Sequence, residues 1–358
     1  MPFQSPPLCL KLLVWSFCLL LPASTYSQLE QLHVRQVDTL VTSLDLFSES
    51  APLNITLTLD LKRYQREKYK GEYMPVHFLY QLNDTLQVGR EVSLKARGKF
   101  RRTHCSLAPF WLDLRKGNEK NEEPGEINRI KVVTHCKGSQ AYAEYVLKEY
   151  LCYQLYNILS PVSFRARLVR MTYVDTGRKN KETEGWAFMI EPEALLAERH
   201  NAIVVEQDLL TGRVFRTEDI SRLALFQYMI GNVDYSVPNR HNVKILGLPG
   251  YGTNGYTPVP YDFDYTGLVN AHYAIPGEDL GISSVRERYY LGPCREEQDY
   301  IPSIENLNKY QEKLLQMVQE FEYLEPKDKK SLSSYLEDYF DLAANQKALI
   351  YSLQKTCR

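Results

Sequence analysis

An excess of charge of either sign is missing: 43 Lys and Arg stand against 44 Asp and Glu. That balance excludes the global field by which nucleic-acid or anionic-membrane binders attract their partners. Beyond residue 27 no apolar run approaches the roughly 20 residues that a membrane-crossing helix needs. No internal repeat and no low-complexity segment interrupts the chain. Cys and His never fall at the CxxC or HxxxH spacing of zinc modules. No Ser or Cys nucleophile elbow is visible, which argues against acyl transfer. A glycine-rich phosphate loop is absent as well.

What remains is an ordinary globular composition, 44% apolar and 24% charged over 358 residues, enough for one large or two coupled domains. Tyr is abundant at 26 residues, which suits strand-rich, half-buried surfaces. Residues 1–27 read as an export signal. Lys11 precedes the apolar run Leu12 to Leu21, and Ala23, Ser24, Thr25 and Ser27 supply small residues for cleavage near Gln28. The expectation is an exported protein, periplasmic or secreted, with no stable membrane span in the mature chain. Cleavage would remove Cys9 and Cys18 and leave Cys105, Cys136, Cys152, Cys294 and Cys357, an odd number. One or two disulfides are expected, with a pairing that spacing does not give. The tripeptide THC occurs twice, at Thr103 to Cys105 and Thr134 to Cys136. Disulfide or buried thiol outranks zinc there.

Periodicity predicts a β-rich first half. Leu53 to Leu61 alternates as a strand, and Val76 to Leu82 with Leu86 to Val88 flank Asn83-Asp84 as a hairpin. In Glu91 to Arg102 the alternation puts Val92, Leu94, Ala96, Gly98 and Phe100 on one face. Lys95, Arg97, Lys99 and Arg101 form a basic stripe on the other, either a solvated face or the lining of a polyphosphate cleft. Pro109 to Leu114 and Ile127 to Val133 predict two more strands. A helix capped by Ser139 is expected to run to about Leu159. Its apolar face of Leu147, Leu151, Leu155 and Ile158 includes Glu144, whereas Glu149 lies opposite, among Tyr142, Tyr145 and Tyr153. Phe164 to Val174 and Trp186 to Ile190 form a hairpin-like pair closed by Glu191-Pro192. The second half turns helical, with one helix from Thr217 to about Ile230, stopped by Gly231, and two more at about Ile304 to Tyr323 and Lys329 to Gln354.

The stretch Gly231 to Gly267 carries the chemistry. Asn232 and Asp234 follow a helix; Asn239 and Asn242 precede the short apolar run Val243 to Leu246. Asp262 and Asp264 end a second run, Pro258 to Tyr261. Two strands that deliver amides and carboxylates across a Gly-rich turn can hold a divalent cation and leave one Asp to orient a hydroxyl.

In the order of these elements the chain resembles the spore-coat protein H (CotH) kinase-like family. The resemblance rests on Ala96-Arg97-Gly98, Phe188 to Glu191, Gly231-Asn232-Val233-Asp234 and Asp262-Phe263-Asp264. It implies an α+β, two-lobed protein-kinase-like fold, with a β-rich N-terminal lobe over residues 28–192 that holds one main helix. A mainly helical C-terminal lobe would span 193–358. It also implies phosphate transfer from ATP or another nucleotide, with Mg²⁺ or Mn²⁺, to a protein or glycan hydroxyl. Asp234 would be the catalytic carboxylate, with Asn232 beside it in the same motif. The metal amide would be Asn239 by its spacing from Asp234 or Asn242 by its place before a strand, and Asp262 and Asp264 would bind metal. Glu191 would lie near the nucleotide base. Where the family places a strand Lys this chain has Trp111, so Lys131, Lys99 or Arg97 would supply the cation. Glu144 or Glu149 would be its partner.

Two other function classes fit the same residues. A catalytically inactive binding or envelope-assembly protein fits the missing strand Lys. A metal-dependent hydrolase would use Asp234, Asp262 and Asp264, with His241 as base.

Overall fold

The computed structural model describes residues 35–37, 46–81, 86–115, 128–210, 212–252 and 255–358. The stretch read as an export signal and the Asn83-Asp84 turn lie outside the described residues.

Among the described residues, eight strands lie in the first half: β1 (Arg35–Val37), β2 (Leu53–Leu59), β3 (Met74–Gln81), β4 (Leu86–Ala96), β5 (Phe110–Asp113), β6 (Arg129–Thr134), β7 (Ala166–Asp175) and β8 (Lys181–Ile190). Their order is β1-β4-β3-β2-β7-β8-β6-β5, and β5 pairs back onto β4 from Ser93↔Asp113 to Ala96↔Phe110. The second to eighth strands therefore form a closed seven-stranded barrel, with β1 added outside the ring. The length of β4 permits this: Leu86 to Val88 pair with β1, and Ser93 to Ala96 pair with β5.

This closure overturns the expected two-lobed protein-kinase-like fold. The chain is α+β, but its β-rich half is a barrel with its own filled interior rather than a sheet facing a helical lobe. The physical reason is the satisfaction of edges. The last four residues of β4 would otherwise present unpaired backbone groups, and β5 covers them.

Alternation shows which wall of the barrel meets solvent. In β2, Leu53, Ile55, Leu57 and Leu59 are buried while Thr56 and Thr58 are half-exposed. In β8 the inward Ala187 and Met189 and the outward Phe188 and Ile190 are all buried. The β6-β8-β7 wall is thus covered outside by α3 (Gln140–Leu159), which follows the short helices α1 (Leu61–Glu67) and α2 (Phe100–His104). Helix α3 is buried nearly all round, with Val146, Leu147, Tyr150, Leu151, Tyr153, Leu155 and Tyr156 all inside. A helix clad on every side does not show one apolar stripe.

The predicted strand from Glu91 to Arg102 is shorter than its alternation suggests. β4 ends at Ala96, Gly98 turns the chain at φ 83°, and Phe100 begins α2. Lys95, Arg97, Lys99 and Arg101 accordingly do not form one stripe: Lys95 stays on the strand, its ammonium 5.3 Å from the centre of the Tyr73 ring. The basic groups after it leave on a turn and a helix.

In the second half, α4 (Glu193–Arg199) and β9 (Ile203–Val204) precede α5 (Thr217–Met229), and the hairpin β10 (Val243–Gly247) and β11 (Tyr256–Pro260) follows. Four helices close the chain where two were expected: α6 (Glu297–Asn308), α7 (Gln311–Glu320), α8 (Pro326–Ala344) and α9 (Gln346–Gln354). Lys309-Tyr310 separates the first pair. Asn345 breaks the last two, its side chain accepting from the amide of Ala348. Among the described residues no helix is long and apolar enough to cross a membrane. Cys105 is bonded to Cys136 and Cys294 to Cys357, while Cys152 is a buried free thiol. The two THC tripeptides are thus joined through sulfur, which removes the thiolates a zinc site would need.

Candidate functional site

The hairpin register places the first pair of site residues. Val243 pairs with Pro260, so the residues just beyond, Asn242 and Tyr261, leave the ladder side by side, and the Tyr261 amide donates to the Asn242 carbonyl at 3.0 Å. Asn242 and Asp262 both take left-handed backbone conformations, φ 52° and 64°, which Asn and Asp tolerate better than other side chains. Next to them, Phe263 is fully buried and stands edge-on to Tyr153 at 4.8 Å. Tyr153 also accepts the Asp262 amide at its hydroxyl, at 2.9 Å. One turn earlier on α3, Glu149 faces the same way. The helix therefore anchors the Asp262-Phe263-Asp264 segment and supplies a carboxylate to it.

Glu149, Asp262 and Asp264 each present an oxygen within 4.8 Å of the others. Arg101 lies against two of them, its Nε donating to Asp264 Oδ2 at 2.8 Å and its Nη2 to Glu149 Oε2 at 2.7 Å. Tyr273 adds a hydroxyl donor to Asp264 Oδ2 at 3.2 Å. Burial raises the proton affinity of both Glu149 and Asp264, and Arg101 opposes that rise. The two carboxylates in turn hold the Arg101 guanidinium firmly charged against its own burial. Glu149 Oε1 is buried with no hydrogen-bond partner. An orphaned carboxylate oxygen in a cluster of three acids and one arginine suits a hard divalent cation.

The loop after α5 carries the second half of the site. Gly231 takes φ 67°, and a Cβ there would sit 2.2 Å from the Tyr335 hydroxyl, so the turn demands glycine. Asn232, 1% exposed, braces the loop: its Nδ2 donates to Gln227 Oε1 at 3.0 Å and its Oδ1 accepts the Asp234 amide at 2.9 Å. Asp234 is gripped from two sides. Asn242 Nδ2 donates to its carboxylate at 3.0 Å and to its carbonyl at 2.7 Å, and His241 Nε2 lies 2.8 Å from Oδ1. Burial raises the pKa of Asp234, while the hydrogen bond from His241 opposes the rise. Asp234, His241, Asn242, Asp262 and Asp264 line one cleft of about 310 Å³ together with Arg97, Lys99 and Arg101.

The structure thus gathers Asp234, Asn242, Asp262, Asp264, Arg97 and Lys99 around one space, with the buried Glu149 next to Asp262 and Asp264. Between the two candidate amides, Asn242 faces the cleft, whereas Asn239 is exposed and its amide lies 3.4 Å from Ser236 Oγ. Between the two helical acids, Glu149 joins the cluster and Glu144 is half-exposed outside it. Glu191 is buried at the end of β8, where Arg165 and Arg199 both bind its carboxylate. Lys131 packs beside the cleft with its ammonium 4.7 Å from the centre of the Tyr261 ring and 5.3 Å from that of Trp111. Burial, with Arg97 and Lys244 nearby, lowers its pKa to about 8. Trp111, where the resemblance led one to expect a strand Lys, lies between two cations, with the Arg97 guanidinium 5.9 Å from its ring centre.

Sequence reasoning gave Arg101 no site role beyond the basic stripe, although it holds the acidic cluster together. The Gly98 turn was the available signal, since a glycine in a strand pattern marks a bend. Tyr273 carried no signal at all, because it comes from an irregular loop.

No family model matches the chain, and no curated protein matches it. Among solved structures it is similar to the crystal structure of a Helicobacter pylori proinflammatory kinase, CtkA. The TM-score is 0.39 and the identity 11%, over 71% of this chain and 94% of that one. The likeness to a kinase is loose and carries no argument about the chemistry, and none of these comparisons shows membership of the spore-coat protein H family.

Proposed function

We propose that the chain is an exported phosphotransferase that moves a phosphoryl group from a nucleotide, with Mg²⁺ or Mn²⁺, to a protein or glycan hydroxyl. The observation that carries this reading is one cleft lined both by Asp234, Asn242, Asp262 and Asp264 and by Arg97, Lys99 and Arg101, with Glu149 and its orphaned oxygen within reach of Asp262 and Asp264. Phosphoryl transfer asks for such a pairing of cation-binding acids, phosphate-binding cations and one carboxylate for the acceptor. The two disulfides support an oxidising compartment.

Asp262, Asp264, Glu149 and the side-chain oxygen of Asn242 would hold the cation, which when bound neutralises polyphosphate charge. Arg97 and Lys99 would bind phosphate oxygens directly. Asp234 would orient the acceptor hydroxyl and take its proton. Its carboxylate is already fixed by Asn242, so little reorganisation is left for the reaction itself.

A non-catalytic binding protein is the second reading, and the Arg101 clamp favours it. One buried guanidinium already compensates Glu149 and Asp264 without any metal. To decide, the purified chain is incubated with γ-labelled ATP and Mg²⁺ or Mn²⁺ beside Asp234→Ala and Asp264→Ala. Transfer is expected in the parent and should fall about 10²–10⁴-fold in Asp234→Ala. No label and no metal-dependent nucleotide binding would eliminate the transferase. Phosphate released from an ester without nucleotide would point to a hydrolase instead.

A further inference from the structure

From the acidic cleft a continuous run of aromatic rings extends to the surface. Tyr265, directly after Asp264, lines the cleft itself. Its ring centre is 5.8 Å from that of Tyr273 and 6.2 Å from that of Phe100. Tyr273 is 6.0 Å from Tyr145, which is 5.9 Å from His272 and 5.8 Å from Tyr142. These six side chains come from α2, α3 and the loop after β11, and none of them is buried. The tertiary structure assembles this wall and leaves it open, although rings of this size normally finish inside.

The chemistry of the wall is specific. Its members are apolar on their faces and carry hydroxyl and imidazole groups at their edges, which both donate and accept. No Lys, Arg, Asp or Glu is among its six members; Lys137, at the far end, packs over Tyr142 at 5.6 Å. Tyr142 and Tyr145 bond His272 through their hydroxyls at 3.3 and 3.4 Å.

We infer that this wall seats a carbohydrate and that a sugar hydroxyl is the phosphoryl acceptor; the acceptor role rests on the transferase reading. A sugar ring offers a C–H face to an aromatic face and a rim of hydroxyls to tyrosine and histidine edges. A nucleobase fits less well, since it asks for a parallel slot, and the plane angles between these rings run from 34° for Tyr145 and His272 and 38° for Phe100 and Tyr273 to 87° for Tyr145 and Tyr273 and 88° for Phe100 and Tyr265. The wall also ends at the reacting groups. Tyr273 touches Asp264, and Tyr265 shares the cleft with Asp234, so a saccharide lying along the rings reaches the carboxylate with its terminal hydroxyl.

The test reads binding without nucleotide or metal. The full chain and a Tyr142→Ala/His272→Ala variant, checked by thermal melting, are applied to arrays of bacterial, plant and animal glycans and to a peptide array. The parent should retain a defined set of glycans, and the variant should bind them about tenfold more weakly, with Mg-ATP affinity and melting unchanged. If melting does change, Tyr145→Phe, which removes one hydroxyl and keeps the ring, must weaken the same glycans. No retained glycan, equal retention by the variants, retention of peptides alone, or loss of Mg-ATP affinity in the variants would each overturn the inference. If glycans bind and no label moves to any acceptor in the transfer assay, the transferase reading fails and the sugar-binding wall stands; if label moves but never to a bound glycan, the acceptor role of the sugar is overturned. If label moves but no glycan binds, the carbohydrate inference fails alone.

Discussion

The barrel interior and the acidic cleft are built on opposite principles, though β4 leads directly from one to the other. Inside the barrel, apolar side chains such as Leu57, Val88, Leu112 and Val132 are completely removed from water. Its polar members include buried tyrosines, His135 and Arg167, which lies across from the inward Met189. In the cleft, three carboxylates surround one arginine, and Asn242 and Asp262 hold left-handed backbone angles. Strain and like-charge crowding of that kind lower stability and persist where the surrounding structure enforces them. The barrel thus supplies the rigidity against which the cleft keeps an unfavourable arrangement of charge.

Arg101→Ala should break that arrangement most sharply. It leaves Glu149 and Asp264 buried without their cation, a loss of about 3–5 kcal/mol. Mn²⁺ should restore much of it, because a divalent cation compensates the same carboxylates. Urea unfolding with and without Mn²⁺ measures both; a metal response no larger than the parent's would mean that the cluster is not a metal site. Replacing Cys105 and Cys136 by Ser comes next, at about 2–4 kcal/mol. Cys105 directly follows α2, so this change should also weaken metal binding, read by calorimetry, and thereby link the two regions.

Gly185→Ala tests the barrel alone. Its Cβ would lie 2.1 Å from the His135 ring, and the overpacking should cost about 1–3 kcal/mol with metal affinity unchanged. The smallest effect concerns pH. Burial lowers the pKa of His135 below its ordinary 6.5. The unfolded chain therefore takes up a proton that the barrel refuses, and stability should decline as pH falls below 6.5, by at most about 1.4 kcal/mol per pH unit. Unfolding midpoints at pH 7.5 and 5.5 for the parent and His135→Phe isolate this contribution, which the variant should lack.

Local chemistry made much of the chain legible. Alternation located β2, and the Ser139 start and Pro161 stop located α3. The Gly-rich turn between two short apolar runs located the β10–β11 hairpin with its flanking Asn242 and Asp262. The helical face shared by Tyr145, Glu149 and Tyr153 was readable too, yet an apolar stripe proved a poor guide to the buried acid, because α3 beyond its first turns is buried on nearly every side. Reading Glu91 to Arg102 as one strand gave alternation more weight than Gly98, and the single basic stripe disappeared with that turn.

Legible in the sequence alone were the candidate amides and carboxylates on Gly231 to Gly267 and the elements that carry them, since turn preference and periodicity act over a few residues. The tertiary structure alone decided that β5 returns to close a barrel on β4, that Cys105 finds Cys136, that Arg101 rather than a strand lysine meets Glu149 and Asp264, and that six rings from three segments make one wall. Each depends on contacts between distant parts of the chain, where the register of one strand or the direction of one turn selects which groups meet.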